Sequence, residues 1–393
     1  MVAAAVAVVA VTACSHPPAA SPSSPSSTGS TSPPTGGPPA IAIAPSGPPT
    51  RAGVPVRVTV TGFPAERVEL RVDRRDGPPL GTDSSEPYDF TVPREYLGAG
   101  SHTLVAQARG PGGARHDVAE LTMPASLPGC HTVTYTPPTA PNPYLANLCV
   151  PASPRDVGIV LVHGGGGTRG SRAGEDAWSR RYLEAGYVTL SIDYFLFDDT
   201  TPAPVYPEPE RDVKSAIQYL RRNASNVGID PDRIVVQGSS AGARLSAEML
   251  VSPDDPYFDG PERWPGVSDR VDGLIAFYGP YDGAQAEARR YYGGGRRSPD
   301  PAVQDRRARA NSVANAADAS GPALLFQGDQ DERVPVGQMT AFADALRAAG
   351  QDVEAHVVAG GGHGYDNPRS GLTPLGEQSA RQALAWLAAH FPS

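Results

Sequence analysis

The chain has 393 residues, enough for two domains with real cores, and 39% of them are apolar. It carries a net charge of −9, with Lys214 the only lysine and arginine supplying the rest of the positive charge. No basic stripe is available to neutralise phosphates, which excludes a nucleic-acid partner.

The N-terminal run "MVAAAVAVVAVTACS" is apolar and ends in small residues. At about thirteen residues it is too short to span a bilayer and fits the apolar region of an export signal. Its end, "VTAC", resembles the bacterial lipobox. That resemblance implies a signal over residues 1–14, with Cys14 the lipidated N-terminus of an exported protein held to the membrane by that anchor alone. A plain cleaved signal, and hence a secreted protein, is the alternative. Residues 15–40, with "SHPPAASPSSPSSTGSTSPPTGGPP", cannot bury apolar surface and read as a flexible tether.

Residues 41–124 then alternate as strands do, in "PVRVTVTG", "RVELRVDRR", "YDFTVP", "SHTLVAQARG" and "RHDVAELTM". Turn residues recur every eight to twelve positions and helical periodicity is missing, so a small antiparallel sandwich is predicted. It resembles the immunoglobulin-like modules of bacterial surface proteins, serving as a spacer or as a polymer-binding module. Cys130 and Cys149 flank "HTVTYTPPTAPNPYLANL" and form an even pair in a chain read as exported. A disulfide is expected, stabilising by about 3 kcal/mol through loop closure.

From residue 130 to 393 strands alternate with helices. "DVGIVLVHGGGG" and "RIVVQG" read as buried strands, and "YVTLSIDY", "DGLIAFYG", "PALLFQG" and "VEAHVVAG" as further strands. "DAWSRRYLEAG", "ERDVKSAIQYLRRNASNVG", "AGARLSAEMLV", "MTAFADALRAAG" and "GEQSARQALAWLAAHF" read as helices. The pattern predicts an α/β fold, a mostly parallel doubly wound sheet with chemistry at the carboxyl ends of its strands.

In "IVVQGSSAGARL" a strand and a helix meet at Gly238-x-Ser240-x-Gly242. This is the register of a nucleophile elbow, where small residues let strand and helix backbones nearly touch. Ser240 is centred in it, and Ser239 is one position off. A serine hydroxyl needs a base, and the base needs a carboxylate to hold its tautomer. Of the histidines that follow, His356 sits in a strand as an outward residue, and His390 ends a helix facing solvent. His363, in the loop "GGGHGYD", is free to reach sideways. Asp329 and Asp331 both follow a strand in "LLFQGDQDERVP". An oxyanion needs backbone donors close by, and the candidates are the amides of Ala241, Gly165 and Gly166, with His163 bracing the "HGGGG" loop.

With "HGGGG" at 163, "GSSAG" at 238 and then an acid and a histidine, residues 150–393 resemble the α/β-hydrolases. The nearest resemblance is to the bacterial esterase/lipase group with an H-G-G-G motif, whose run into the elbow is similar to "NASNVGIDPDRIVVQGSSAG". The resemblance implies a serine esterase acting on a small or polymer-linked carboxylic ester, with the order Ser240, Asp331, His363. Asp331 is chosen over Asp329 because the family's "G-D-x-D-x-x-V-P" stretch uses its second aspartate. No cofactor or metal is implied, and the acidic stretch "SPDDPYFDG" lacks calcium-ligand spacing. Lid material is expected from residues 195–210, 252–266 and 286–301. The alternatives are a peptidase of the prolyl-oligopeptidase type, a dienelactone-type hydrolase, or an inactive surface-binding protein on this fold.

Overall fold

The computed structural model describes residues 40–47, 54–72, 79–92, 101–111, 113–122, 129–137, 140–261, 263–283, 288–366 and 371–392. The signal with Cys14, and the tether up to residue 39, lie outside the described residues.

Seven strands make the N-terminal unit: β1 (Ala40–Pro45), β2 (Val54–Thr61), β3 (Arg67–Val72), β4 (Gly81–Asp83), β5 (Tyr88–Val92), β6 (Ser101–Gly110) and β7 (Gly113–Thr122). They form two antiparallel sheets, ordered β1-β2-β5 and β4-β3-β6-β7. Alternate residues of both sheets fill one core, with Val56, Val58 and Phe90 from the first and Val68, Leu70 and Leu104 from the second. Period-two patterning therefore produced the sandwich that the sequence predicts. Strands β1 and β4 add to those recognised in the sequence.

The second unit has β8 (Gly129–Thr134), β9 (Leu145–Val150), β10 (Gly158–Val162), α1 (Asp176–Glu184), β11 (Val188–Ile192), α2 (Glu208–Arg222), α3 (Ala224–Val227), β12 (Ile234–Ser239) and α4 (Ala241–Leu250). It continues with β13 (Gly273–Phe277), α5 (Ala288–Tyr292), α6 (Pro301–Arg309), β14 (Ala323–Gly328), α7 (Val336–Ala348), β15 (Val353–Val358) and α8 (Pro374–His390). One eight-stranded sheet runs β15-β14-β13-β12-β10-β11-β9-β8. It is parallel from β15 to β11 and antiparallel at β9 and β8.

Both faces are covered. Ile159 and Leu161 of β10 point to a core shared with Trp178 and Tyr182 of α1 and Trp386 and Leu387 of α8. Val160 and Val162 point the other way, to Ile217 of α2, Leu245 of α4 and Phe342 of α7. Strands buried on both sides read as continuous apolar runs, which is why β10 to β14 are plain in the sequence.

Three local readings change. The helix expected over "ERDVKSAIQYLRRNASNVG" breaks at Asn223, whose side-chain amide donates to the Tyr219 carbonyl (2.8 Å) and closes α2. The stretch between the cysteines is not only a loop, because Cys130 and Cys149 face each other across β8 and β9 and are bonded. The third lid segment supplies a short helix, α5, and ends where α6 begins at Pro301.

Candidate active site

The elbow follows from steric demand. A Cβ on Gly238 would lie 2.3 Å from the Gly242 carbonyl oxygen, and one on Gly242 would lie 2.1 Å from that of Val162. Only hydrogen fits at either position. Between them Ser240 takes φ 52° and ψ −115°, an unusual conformation for a residue with a side chain and one of the kind that clusters at functional sites. Ser239 stays in β12 and Ser240 caps α4, so Ala241 N–H belongs to the helix's first turn.

The loops after β14 and β15 meet this turn. His363 Nε2 is 2.8 Å from Ser240 Oγ, and His363 Nδ1 is 2.8 Å from Asp331 Oδ2. Tautomer assignment follows from the acceptor. Asp331 can only accept when ionised, so Nδ1 carries the proton and donates, leaving the Nε2 lone pair for the Ser240 hydroxyl. The Asp331 side chain is fully shielded from solvent. That burial pushes its carboxyl up, but the Val334 and Arg333 amides and His363 outweigh it and hold the group below the ordinary carboxylate range. The Val334 and Arg333 N–H groups donate to Oδ1 at 2.9 and 2.8 Å, and Gln327 Nε2 donates to Oδ2 at 2.9 Å.

Asp329 does different work. Its Oδ1 accepts from Gly360 N–H at 2.7 Å and ties the histidine loop to the end of β14. His356 lies beside Glu354, as its strand position suggests, but its ring also stacks on Phe326. His390 differs from expectation more. Instead of facing solvent, it lies against Trp386 with ring centroids 4.6 Å apart and reaches Asp352 through Nε2.

On the other side of Ser240, the glycine loop turns through positive φ at Gly165 (125°), Gly166 (70°) and Gly167 (80°). His163 is buried and stacks on Tyr194 at 4.3 Å, with Nδ1 donating to the Gly164 carbonyl at 2.7 Å. Burial pushes its pKa down, so the ring is a neutral brace for the loop. A cavity beside Ala241 is walled by Gly166, Gly167, Tyr194, Phe197, Leu245, Tyr291 and Tyr292. Gly166 and Ala241 share that wall, while Gly165 is turned toward Arg169, whose carbonyl oxygen a Cβ would meet at 1.9 Å.

The three lid segments meet in one cluster, and Phe197, Tyr291 and Tyr292 of it also wall this cavity. Phe197, Val205 and Tyr206 of the first, Phe258 of the second and Tyr291 and Tyr292 of the third share one aromatic cluster. Beneath it Arg244 is buried, donating to Glu210 and Glu248 at 2.8 Å each and to the Tyr291 hydroxyl at 2.7 Å. Burial, reinforced by Glu210 beside it, pushes the Glu248 carboxyl well up. Sequence reasoning passed over this cluster because its members are dispersed along the chain, Glu210 on α2, Arg244 on α4 and Tyr291 on α5.

No group of three or more potential metal ligands occurs among the described residues. Asp255, in the acidic stretch, accepts from Tyr257 N–H and caps a short turn.

Strand order, elbow, acid after β14 and histidine after β15 together define an α/β-hydrolase fold. Residues 151–346, just under half of the chain, match the BD-FAE family model. Esterase LipC of Mycobacterium tuberculosis is 31% identical over 226 residues, which cover 55% of each chain. Esterase LipQ of the same organism is 29% identical over 202 residues, 49% of this chain and 46% of that protein. The chain thus spans about half the length of these two curated relatives. Among solved structures, propionate-bound Est2, an esterase from Thermogutta terrifontis, aligns with a TM-score of 0.57 at 24% identity, covering 67% of this chain and 94% of that one. At that identity the likeness shows the fold.

Proposed function

We propose that this protein is a serine carboxylic ester hydrolase working through an acyl-enzyme. The observation that carries the reading is the unbroken hydrogen-bond chain from Ser240 Oγ through His363 to a shielded, ionised Asp331. The esterase names of its relatives support it.

Ser240 Oγ attacks the ester carbonyl carbon while its proton passes to His363 Nε2. Asp331 holds the imidazolium that forms and fixes its orientation. The carbonyl oxygen becomes an oxyanion, stabilised by the amides of Ala241 and of Gly165 and Gly166; Gly166 is favoured because it shares the cavity wall with Ala241. As the tetrahedral intermediate collapses, His363 returns the proton to the leaving alcohol. Water then attacks the acyl-enzyme carbonyl, again losing a proton to His363, and the acid departs as Ser240 is restored. The intact chain of contacts speaks against an inactive surface-binding role. The "HGGGG" loop speaks against the peptidase and dienelactone-type readings, whose families lack it as a rule.

The lipobox-like "VTAC" supports export with a lipid anchor at Cys14. The Cys130–Cys149 bond supports an oxidising compartment. On this reading the N-terminal sandwich is an immunoglobulin-like spacer behind the tether, and Cys14→Ala releases the protein from membranes.

The test is hydrolysis of a graded series of p-nitrophenyl acyl esters by purified protein. Turnover of at least one ester, with a burst of p-nitrophenol equal to the enzyme, supports the reading. Turnover of none contradicts it.

A further inference from the structure

We propose that Asp366 is a positioning residue for this reaction: its buried carboxylate clamps Tyr278 and Trp178 and, through the Tyr278 ring, fixes the plane of His363. The inference rests on the esterase reading for its consequence in turnover, but not for its geometry.

His363 sits in a glycine-rich loop, "AGGGHGYD", which by composition holds no shape of its own. The loop is tied at both ends. Upstream, Gly360 N–H is held by Asp329 and Gln330 N–H donates to the Gly361 carbonyl at 2.9 Å. Downstream, Tyr365 is held by Ser379 and Thr373, and the tie that reaches back toward the imidazole is Asp366, three residues past His363 and 1% exposed. Its Oδ1 accepts from Tyr278 Oη at 2.5 Å and its Oδ2 from Trp178 Nε1 at 2.8 Å.

Tyr278 has a second contact that gives the clamp its meaning. Its ring lies against the His363 imidazole, with centroids 4.8 Å apart and planes tilted by 59°. That is an ordinary aromatic pairing geometry and restricts rotation of the imidazole about its own axis. Rotation matters, because His363 must direct Nδ1 to Asp331 and Nε2 to Ser240 at once. Tyr278 itself stands at the end of β13 with φ 41°, an outlier for a bulky residue, and its N–H donates to the Phe326 carbonyl. Strain of this kind persists only where surrounding contacts impose it. Beside the clamp, the buried Glu175 carboxyl is pushed up to about 8, first by its burial and then by Asp366 and Asp176. Asp331 and Asp366 thus orient one imidazole from two sides, the first by direct hydrogen bond and the second through a ring.

The test uses the full chain with Tyr278→Phe, Asp366→Asn and the double variant of the two. Tyr135→Phe serves as control, since it loses a comparable buried donor, to the Asp193 carbonyl at 2.7 Å, with no contact to His363. With a p-nitrophenyl ester, Tyr278→Phe and Asp366→Asn are expected to lower kcat about tenfold or more with KM within about twofold, as small misplacements of a reacting group do. The double variant should fall no further than the worse single variant, because the two residues act as one unit. Tyr135→Phe should keep wild-type kcat. A second readout needs no substrate: the His363 Nδ1–H proton resonance should broaden through faster exchange with water in Tyr278→Phe and Asp366→Asn only. If the wild type hydrolyses no ester, that arm alone decides. Wild-type kcat in Tyr278→Phe, an equal loss in Tyr135→Phe, or an unchanged resonance in the clamp variants overturns the proposal.

Discussion

Gly242 lies against Val162 so closely that a Cβ on the glycine would sit 2.1 Å from the Val162 carbonyl oxygen. The contact joins α4 to the end of β10 and sets how far Ser240 projects. Gly242→Ala must separate helix and strand, and overpacking of this kind costs about 1–3 kcal/mol. The urea midpoint should fall and ester turnover should fall with it, since Ala241 N–H moves too. An unchanged midpoint with unchanged turnover would mean that the elbow is looser than described.

Asp331 and Asp329 are two residues apart but separable by experiment. Asp331→Asn puts an amide where His363 Nδ1–H needs a carboxylate, so turnover should drop by about 10³–10⁴ with little change in KM. Asp329→Asn keeps an oxygen to accept from Gly360 N–H and should cost only a few-fold. Steady-state kinetics of both variants, with circular dichroism as a check on folding, decide the assignment. The reverse ranking would make Asp329 the acid.

Glu175 carries a pH signature. Burial first, and then the charges of Asp366 and Asp176, push its carboxyl up to about 8 from an ordinary value near 4.5. Below about 4.5 it is protonated in both folded and unfolded chains, and nothing is lost. As pH rises toward 8 the unfolded chain releases this proton first, so the folded state is penalised by up to a few kcal/mol. Glu175→Gln removes the penalty. Thermal melts should show the variant gaining on the wild type between pH 5 and pH 9, and a constant difference in Tm would contradict the shift.

Breaking the Cys130–Cys149 bond by changing both residues to serine should lower stability by about 3 kcal/mol in the chain-entropy picture. Strands β8 and β9 form the antiparallel end of the large sheet, far along it from β12, so turnover below the melting range should hold. A loss of activity in a still-folded double variant would tie this sheet edge to the site.

The sequence carried the strand-helix alternation because β10 to β14 are buried on both faces and read as apolar runs. Ser240 and Asp331 stood out as candidates because each follows such a strand, β12 and β14, in a glycine frame or an acidic turn, and His363 because it follows the half-buried β15 in a glycine-rich loop. What escaped was polar and long-range. Tyr278 and Asp366 bond across 88 residues, and neither "AFYG" nor "HGYD" hints at the other. The Arg244 cluster was hidden for the same reason. Strands β8 and β9 were missed because the two cysteines and intervening prolines read as a bridged loop, although "CHTVTYT" does alternate. His390 was misjudged because position at a helix end says nothing of the Trp386 ring one turn earlier.

The most direct test of the central claim is covalent labelling with a fluorophosphonate, which reacts only with an activated serine, read out by mass spectrometry of the labelled peptide. The account predicts one label, on Ser240, lost in Ser240→Ala and His363→Ala and retained in Ser239→Ala, His356→Ala and His390→Ala. Label on Ser239, or full labelling of a well-folded His363→Ala protein, would contradict it.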